Sequence, residues 1–583
     1  MNVGLGSGGR SAKPLFLLLL LSIIVSACGG ATSTTPSRGT GSGAASSSAE
    51  EGRTLVIAIR SEPKALVSSE LNVDHTGNTP EAPWQLFHAE LTQFDERGAP
   101  QLQLAEAYPQ LGTDSWKLLP DGRMETTWRI RSDAIWHDGA PLVAEDFVLA
   151  IRFIKAAGNT GLTKGVPTID GATALDQRTL VVHYNAPFPD AGVIAWEPLP
   201  RHIIGAAFEQ IEDPEVFATL PYWTTEFVGL GPYRLDRWEP GAFITGLAYD
   251  RYPLGKPKIG RVQLMWIPDA NAVVANLLTG TAHLATDLSV GFEHASVLRR
   301  EWASKGETGG ILLGPAKAVY AQVQYKPEFQ RPQALSEPRL RQALAYAIDK
   351  QAIVDAVLDG EPGIADTLVP KDVEYYAELD RALTKYPLDL RRSEQLMAEL
   401  GYTKDGEGFY GQGGNRLSIQ LIPFGDYQRE ALILVDGWKR AGIDVPIRVL
   451  SPAEQMNRQN SQQYPGLGII QAASAAVTTN VYRYFASEGV TGTLGGGPNM
   501  GGYTDPEIDR LYGVYITSLD RNVRNQAVID GMKYLSERST YFPLYYGYEL
   551  VAHSGNLVGP RAGLKRYALW RIEEWTWAGS GQR

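Results

Sequence analysis

Residues 124–157 read METTWRIRSDAIWHDGAPLVAEDFVLAIRFIKAA, and this stretch decides the fold class. Its first part alternates in the way that a half-buried strand does, and the inward positions are Met124, Thr126, Trp128 and Ile130. Asp138-Gly139 then marks a turn. From Glu145 to Ala157, apolar residues recur at helical spacing, at Phe147, Ala150, Ile151 and Ile154. A strand followed at once by a helix indicates an α/β protein.

The same mixture of strands and helices extends outward in both directions. Thr54–Ile59 is a short apolar run that predicts a buried strand. Downstream, caps and apolar stripes predict four helices: one opened by Asp269 and stopped by Gly280, two within Glu337–Gly360 divided by a cap at Asp349, and one over Ser393–Leu400 closed by Gly401. No short repeat is present. A body of about 530 residues should split into two or three domains.

The amino-terminal segment carries the only cysteine of the chain, Cys28. A basic start with Arg10 and Lys13 precedes an apolar run, Leu15 to Val25, which is too short to span a bilayer comfortably. The pattern resembles a bacterial lipobox, in which the cysteine is lipidated and the preceding peptide is removed. Residues 1–27 are therefore predicted to be a lipoprotein signal peptide. The alternatives are an ordinary signal peptide with an incidental cysteine and a retained transmembrane helix.

Residues 28–51 are predicted to be a flexible tether. From Gly29 to Ala49 the chain contains only Gly, Ala, Ser, Thr and Pro, apart from Arg38. Such a composition cannot bury a core. The body, residues 52–583, would thus be exported and held at the outer face of the cytoplasmic membrane by lipidated Cys28.

Composition narrows the possible partners. The net charge of −11 argues against nucleic acid and against electrostatic docking on anionic lipid, so the anchor would be the only membrane contact. The body lacks cysteine, so a large core and not disulfides must hold it together. The 13 tryptophans and 27 tyrosines fill cores or line a ligand cleft, and composition leaves both readings open.

Motifs of catalysis are missing from the sequence. The eight histidines show no His-Glu-x-x-His spacing, and the body has no Gly-x-Ser-x-Gly elbow and no phosphate-binding loop. The glycine clusters at 411–414 and 495–497 are predicted to be flexible loops. We therefore expect a binding protein without metal or cofactor, with a surface hydrolase as an alternative.

Several motifs, in order along the chain, carry a resemblance to one family. They are Leu91-Thr-Gln-Phe-Asp95, Leu104-Ala-Glu106, Trp128-Arg-Ile-Arg131, Trp136-His-Asp-Gly-Ala-Pro-Leu142, Ala144-Glu-Asp-Phe147, Pro200-Arg-His-Ile203, Val228-Gly-Leu-Gly-Pro-Tyr233, Pro268-Asp-Ala-Asn271, Arg339-Leu-Arg-Gln-Ala-Leu-Ala-Tyr-Ala-Ile-Asp-Lys350, Ala441-Gly-Ile-Asp444 and Gly502-Tyr-Thr-Asp-Pro-Glu-Ile-Asp-Arg510. The set resembles the family 5 extracellular solute-binding proteins of bacterial ABC importers, of the oligopeptide-, dipeptide- and nickel-binding type. The family commonly has a threonine at the place of Val143, so a helix cap is expected to be lost there.

The resemblance implies a bilobal α/β fold of the periplasmic-binding-protein type with an additional third domain. Lobe I would comprise about 52–70, 186–310 and 550–583. The extra domain would cover about 71–185, and lobe II about 311–549. Ligand would sit between the lobes, and most motif residues would be structural.

The resemblance also implies where a ligand is contacted. Ser61 and Glu62 follow the first strand at a family cleft position. In lobe II, many peptide-binding members have an Asp that pairs with the ligand's amino terminus, but the corresponding stretch here, Gln471–Phe485, contains no acid. Asn480, Tyr482 and Arg483 are the candidate contacts in that stretch, and ordinary packing is the alternative reading for each.

The implied function is capture of a solute, most simply a peptide, and its delivery to a membrane permease of an ABC importer. The protein would act as a monomer. The missing acid and the many aromatic residues leave an oligosaccharide or another polar solute as the alternative ligand. A sensor that presents ligand to a signalling partner is a further alternative.

Overall fold

The computed structural model describes residues 53–68, 71, 80–96, 98–156, 169–193, 196–287, 289–306, 309–359, 361–451, 454–455, 457–473, 481–490, 498–561 and 568–579. Cys28, the tether and Asn480 lie outside these residues. None of the helices in the described part of the chain is long and apolar enough to cross a membrane.

The described strands are distributed along the whole body. They are β1 Thr54–Ile59, β2 Thr92–Phe94, β3 Pro100–Leu102, β4 Trp116–Leu118, β5 Met124–Arg129, β6 Ile169–Asp176, β7 Thr179–Tyr184, β8 Tyr233–Glu239, β9 Phe243–Ala248, β10 Arg261–Trp266, β11 Leu284–Ala285, β12 Gly310–Val323, β13 Thr403–Lys404, β14 Tyr410–Gln412, β15 Asn415–Arg416, β16 Leu421–Pro423, β17 Leu467–Ala473, β18 Tyr541–His553, β19 Leu557–Val558 and β20 Thr576–Trp577.

The described α-helices are interspersed with these strands. They are α1 Ala82–Phe87, α2 Ala144–Ala156, α3 Arg201–Gln210, α4 Pro214–Phe217, α5 Ala270–Thr279, α6 Phe292–Lys305, α7 Pro338–Tyr346, α8 Lys350–Val357, α9 Tyr376–Ala382, α10 Leu390–Glu399, α11 Gln428–Arg440, α12 Arg458–Gln462, α13 Pro506–Thr517 and α14 Arg521–Glu537.

Two long paired strands, β12 and β18, lie within a nine-stranded sheet. The strand order is β16-β17-β12-β18-β11-β1-β10-β9-β8. The first part of β12, Gly310–Gly314, pairs with the last part of β18, and β18 in turn pairs with β11. The second part of β12, Lys317–Val323, pairs with β17 on its other edge. The two strands therefore run from one half of the sheet into the other.

Separate hydrophobic cores lie on the two halves, and they define the lobes. We call lobe I the part around β1 and β8–β11, whose cores include Ile57 and Leu264 and extend to the first part of β12. Lobe II is the part around β16 and β17, whose cores include Leu344 and Tyr482. This arrangement, with β12 and β18 passing between two cores, is the bilobal fold expected from the sequence.

A second sheet accounts for the additional domain. It is four-stranded and antiparallel in the order β4-β5-β7-β6, and α2 contacts it through β6 and β7. Its inward residues, among them Trp128 and Val182, belong to the same core as β1. The residue boundaries predicted for the lobes and for this domain stay predictions.

Local sequence signals located several of these elements. β1 has the predicted bounds, β5 shows the predicted alternation, and α5 begins after an Asp269 cap and ends at Gly280 in a left-handed conformation. Asp349 caps α8 as predicted, since its carboxylate accepts the Ala352 N–H at 3.0 Å.

Two predictions were wrong in detail. Helix α10 begins at Leu390 and not at Ser393, because Asp389 caps it by accepting the Arg392 N–H at 2.9 Å. The 411–414 cluster is not a flexible loop: Gly411 lies in β14, and Gly413 and Gly414 take positive φ in the tight turn to β15. The 495–497 cluster lies outside the described residues.

Candidate ligand-binding site

The ends of β1 and β17 face each other across the middle of β12 and β18. The pairing register places Ala58 of β1 on one row with Ala285, Ala552 and Ile311. Ala473 at the end of β17 pairs with Lys317. Because β1 runs parallel to β12 and β17 antiparallel to it, the two strands point toward each other. Their carboxyl ends are separated by ~15 Å along β12, at ~3.3 Å per residue.

A gap at the carboxyl ends of strands is where ligands bind in open α/β sheets. Between the two strand ends, the register of β12 against β18 shifts at Pro315/Lys317, so the crossing strands are irregular at this level. Such an irregularity interrupts the ladder at the place where the two lobes meet. The gap between the ends of β1 and β17 is therefore the candidate site.

On the lobe I side, the segment after β1 carries Ser61 and Glu62. Ser61 is exposed. Glu62 is half-buried, and its carboxylate accepts hydrogen bonds from the Trp238 indole N–H at 3.0 Å and from the Gly241 N–H at 3.1 Å. Glu62 thus ties this segment to the β8–β9 turn. The ligand contacts predicted for Ser61 and Glu62 stay predictions.

Farther along the same segment, Glu197 fixes the chain at Ser68. The Glu197 carboxylate is buried and accepts both the Ser68 N–H at 3.1 Å and the Ser68 hydroxyl at 2.8 Å. Since Glu197 lies in the connection that returns from β7, this connection positions the segment that follows β1.

On the lobe II side, Tyr482 and Arg483 lie in a short 3-10 helix, Val481–Tyr484, beyond the end of β17. Tyr482 is fully buried, its hydroxyl donates to the Ala527 carbonyl of α14, and its ring lies over Gly531. In this arrangement Tyr482 acts as a packing residue. Arg483 is half-buried. The ligand contacts predicted for Asn480, Tyr482 and Arg483 stay predictions.

A polar chain that sequence reasoning missed starts at the middle of β12. Lys317 donates to the Tyr427 hydroxyl at 3.4 Å, and its ammonium lies 5.3 Å from the centre of that ring. The Tyr427 hydroxyl donates to the Gln471 side-chain oxygen at 2.7 Å. Burial, and next the nearby Glu430, raise the pKa of Tyr427, so the hydroxyl stays protonated. This chain spans β12, the start of α11 and β17, and no sequence motif joins its three members.

The resemblance motifs are held together by His137 and not by a ligand. The His137 Nε2–H donates to the Gly231 carbonyl at 3.0 Å, while Nδ1 accepts the Gly229 N–H at 3.3 Å. Burial lowers the pKa of His137 to about 4, so the neutral ring that can both donate and accept is the stable form. A Cβ at Gly231 would lie 2.5 Å from the Leu86 carbonyl oxygen, so only glycine fits.

Asp146 supplies one half of a capping box at Val143, since it accepts the Val143 N–H, whereas the valine side chain cannot accept a first-turn N–H in return. Its carboxylate accepts the Val143 N–H at 3.1 Å, the Arg201 N–H at 3.0 Å and the Trp136 indole N–H at 3.0 Å. A residue inside the first turn of α2 thus satisfies the backbone from within the helix. The motif that contains Trp136 and Asp146 is structural, as predicted.

The described part of the chain offers no second candidate for a ligand site between the lobes. No group of three or more His, Cys, Asp or Glu side chains there could hold a metal ion. A small cavity is lined by residues of lobe I, including Trp84, His88, Tyr252 and Trp570. It does not reach lobe II and cannot be a site between lobes.

A family model covering two thirds of the chain agrees with this geometry. Residues 106–492 match the model of the bacterial extracellular solute-binding proteins, family 5. The chain is a family 5 extracellular solute-binding protein. Proteins of this family are extracytoplasmic binding components of ABC transporters.

A curated relative is similar over almost the whole chain, and solved structures show the same fold. The oligopeptide-binding protein AppA of Bacillus subtilis is 25% identical over 92% of this chain and 95% of its own length. The structure of NikZ from Campylobacter jejuni, in complex with Ni(L-His), aligns with a TM-score of 0.71 at 21% identity and covers 90% of this chain and 99% of NikZ. An oligopeptide-binding protein from Thermus thermophilus, complexed with a pentapeptide, aligns with a TM-score of 0.70 at 21% identity over 91% of this chain and 96% of its own.

Proposed function

We propose that this protein captures a peptide in the gap between β1 and β17 and delivers it to the permease of an ABC importer. The observation that carries the proposal is the pair of opposed strand ends. Backbone groups beyond the end of a strand are free of the ladder and can pair with an extended peptide laid across the gap. Main-chain pairing of this kind gives affinity with little demand on peptide sequence.

Lobe closure would couple capture to delivery. A ligand that touches both lobes only in the closed arrangement shifts the population toward that arrangement by its differential affinity. The irregular middle of β12 and β18 is where such a bend is accommodated. The permease would then recognise the closed form, and the protein would act as a monomer.

The proposed peptide differs from a common pattern at its amino terminus. No acid occurs in Gln471–Phe485, and a buried ammonium needs a compensating charge. The one charged residue of that stretch is Arg483, which is positive. We therefore expect this protein to gain no affinity from a free amino terminus.

The experiment has two steps and uses the full chain with Cys28→Ser. Mass spectrometry of the protein, purified intact and then denatured, identifies any co-purified ligand, and a set of peptides is the expected result. Calorimetric titration then compares one pentapeptide of that set with its N-acetylated form. We expect the two dissociation constants to agree within about threefold.

The other outcomes are distinct. A pentapeptide that binds tenfold more tightly with a free amine keeps the peptide function but overturns the argument from the missing acid. Release of a sugar, with no peptide binding, moves the function to the oligosaccharide alternative. In the variant with Asn480→Ala and Arg483→Ala we expect a loss of affinity of threefold or more, whereas Arg300→Ala, on an exposed side chain of α6, should change nothing.

Anchoring is the second part of the proposal. We propose that lipidated Cys28 holds the protein at the outer face of the cytoplasmic membrane and that residues 28–51 act as its tether. The supporting observation is the placement of the only cysteine directly after a short apolar run. In the native host, Cys28→Ser should move the protein from the membrane fraction to the soluble fraction. Retention of the variant in the membrane would overturn the lipid anchor.

A further inference from the structure

The two lobes touch at a second place besides the crossing strands. Asp190 lies in lobe I between the core residues Phe188 and Ala191, and Arg524 lies in the first turn of α14 in lobe II. The Arg524 guanidinium lies 3.0 Å and 3.3 Å from the two carboxylate oxygens of Asp190. Both side chains are largely enclosed, with exposures of 17% for Arg524 and 26% for Asp190.

An apolar contact accompanies this ion pair. Leu519 lies in the turn between α13 and α14, which belong to lobe II by their packing. Leu519 itself packs against the core of lobe I. Two different kinds of contact, one charged and one apolar, therefore join the start of α14 to lobe I.

Both partners of the ion pair belong to the elements that position the gap. Asp190 lies in the connection that ends at Glu197, whose carboxylate holds Ser68 after β1. Arg524 lies one turn before Ala527, whose carbonyl accepts the Tyr482 hydroxyl beyond the end of β17. The ion pair therefore connects two elements that border the gap. One positions the segment after β1, and the other positions the segment after β17.

Arg524 is held in place by its own lobe. Its guanidinium lies 5.2 Å from the centre of the Tyr515 ring, a cation–π contact within lobe II. This contact orients the side chain toward lobe I before the lobes meet, so little side-chain freedom is lost when the ion pair forms. A preoriented, partly desolvated Arg–Asp pair is worth more than an exposed one.

We propose that Asp190, Arg524 and Leu519 form a latch that holds the two lobes in the arrangement in which this ion pair is made, which we call closed. The latch acts on lobe closure in the proposed transport cycle, and its physiological role rests on that proposed function. Its test needs no ligand, so failure of the latch and failure of the ligand assignment are distinguishable.

The test measures the distance between the lobes by double electron–electron resonance. Spin labels are attached to Val216→Cys on α4 and Leu432→Cys on α11, whose side chains are 51% and 65% exposed, in the full chain with Cys28→Ser. Cys28 is the only native cysteine, so the labels are unique. In the protein with an unsubstituted latch, part of the distance distribution should lie at the label-to-label distance of the closed arrangement. Asp190→Asn and Arg524→Gln should each lower the ratio of closed to open protein by about tenfold, and Leu519→Ser by a few fold.

Control and rescue variants separate the latch from general damage. Glu209→Gln breaks an exposed ion pair with Arg152 of α2 that does not involve lobe II, and it should leave the distances unchanged. The double exchange Asp190→Arg with Arg524→Asp should restore most of the closed population. An absent closed population in the unsubstituted chain, an unchanged ratio in Asp190→Asn, or the same shift in Glu209→Gln would overturn the proposal.

Discussion

The two lobes are built from different aromatic residues. Residues 311–549, the range predicted for lobe II, contain most of the 27 tyrosines, one of the 13 tryptophans and none of the eight histidines. Lobe I and the extra domain hold the remaining tryptophans and all the histidines of the body. Indole and imidazole nitrogens are therefore concentrated in one half, and phenol hydroxyls are more numerous in the other, although Tyr222 and Tyr233 are also buried in the core that contains β1.

This difference predicts that histidine protonation in acid affects one half of the protein and not the other. In the half that holds lobe I and the extra domain, burial lowers the pKa of His88 to about 3 and that of His137 to about 4, so both must stay neutral. In lobe II, burial raises the pKa of Tyr325 and Tyr515 to about 12, so both must stay protonated. Acid thus acts against lobe I and the extra domain through their histidines, whereas base acts against both halves, because burial also raises the pKa of Tyr222 and Tyr233 in the core that contains β1.

The largest expected effect comes from removing one fully buried tryptophan from each lobe. Trp136 in lobe I donates to Asp146 at 3.0 Å, and Trp438 in lobe II donates to the Leu344 carbonyl at 2.9 Å. Trp136→Ala and Trp438→Ala should each lower the free energy of unfolding by ~3–5 kcal/mol. The cost should be larger at Trp136, because the buried Asp146 carboxylate also loses a donor.

Calorimetry and optical unfolding measure whether these two losses stay separate. Tryptophan fluorescence reports mainly lobe I, since Trp438 is the one tryptophan of residues 311–549, whereas circular dichroism reports both lobes. Each variant should lower mainly the transition of its own lobe. Equal shifts of both signals in both variants would show that the lobes unfold as one unit.

Acid provides the next largest effect, through His88. The free ring takes up a proton at a pKa near 6.5, whereas the buried ring does so only near 3. The unfolded chain therefore binds more protons below pH 6.5, and stability falls as the pH drops through this window. At pH 5 the loss is ~2 kcal/mol for His88.

His88→Gln keeps a donor near the Pro198 carbonyl, which accepts from His88 Nε2 at 3.0 Å, but removes the titration. In urea unfolding, the loss of stability between pH 7 and pH 5 should be smaller by ~2 kcal/mol in this variant. His183→Gln, at a ring on β7 that is 34% exposed, is the matched control and should keep the full loss. An undiminished loss in His88→Gln would contradict the assignment of acid sensitivity to lobe I.

Sequence reasoning predicted features that depend on neighbouring residues and missed contacts between residues far apart in the chain. β1, α5 and the Asp349 cap could be predicted because periodicity, capping carboxylates and stop glycines all act within a few residues. The start of α10 was misplaced because apolar spacing alone located it, while the cap at Asp389 lies outside that spacing. The fold class was predicted from the order of the family motifs along the chain. In the structure, residues of these motifs pack in the core or hold turns together.

The candidate site was less predictable for a physical reason. The gap exists only through the pairing register of β1, β11, β18, β12 and β17, which come from distant parts of the chain. Asp190 and Arg524 are 334 positions apart, and Lys317 and Tyr427 are 110 apart. The residues that flank each of them in the sequence resemble those of an ordinary surface position. The neighbouring sequence therefore could not predict these contacts.

The smallest expected effect, at Tyr325, tests whether tyrosine ionisation at high pH destabilises lobe II. Its hydroxyl donates to the Thr540 carbonyl at 2.8 Å, so Tyr325→Phe should lower the free energy of unfolding by ~1 kcal/mol at pH 7. The folded pKa of about 12 lies above the unfolded value of 10.0, so the tyrosine's contribution is present below pH 10 and is lost as the pH rises toward 12. At pH 11 this loss is ~1 kcal/mol.

Phenylalanine has no proton to lose, so the stability difference between Tyr325→Phe and the unsubstituted protein should shrink to nearly zero at pH 11. Urea unfolding at pH 7, 9 and 11, followed by circular dichroism, measures this convergence. If the difference at Tyr325 stays constant up to pH 11, ionisation of this lobe II tyrosine does not contribute to alkaline unfolding, and the contrast between the lobes holds in acid only.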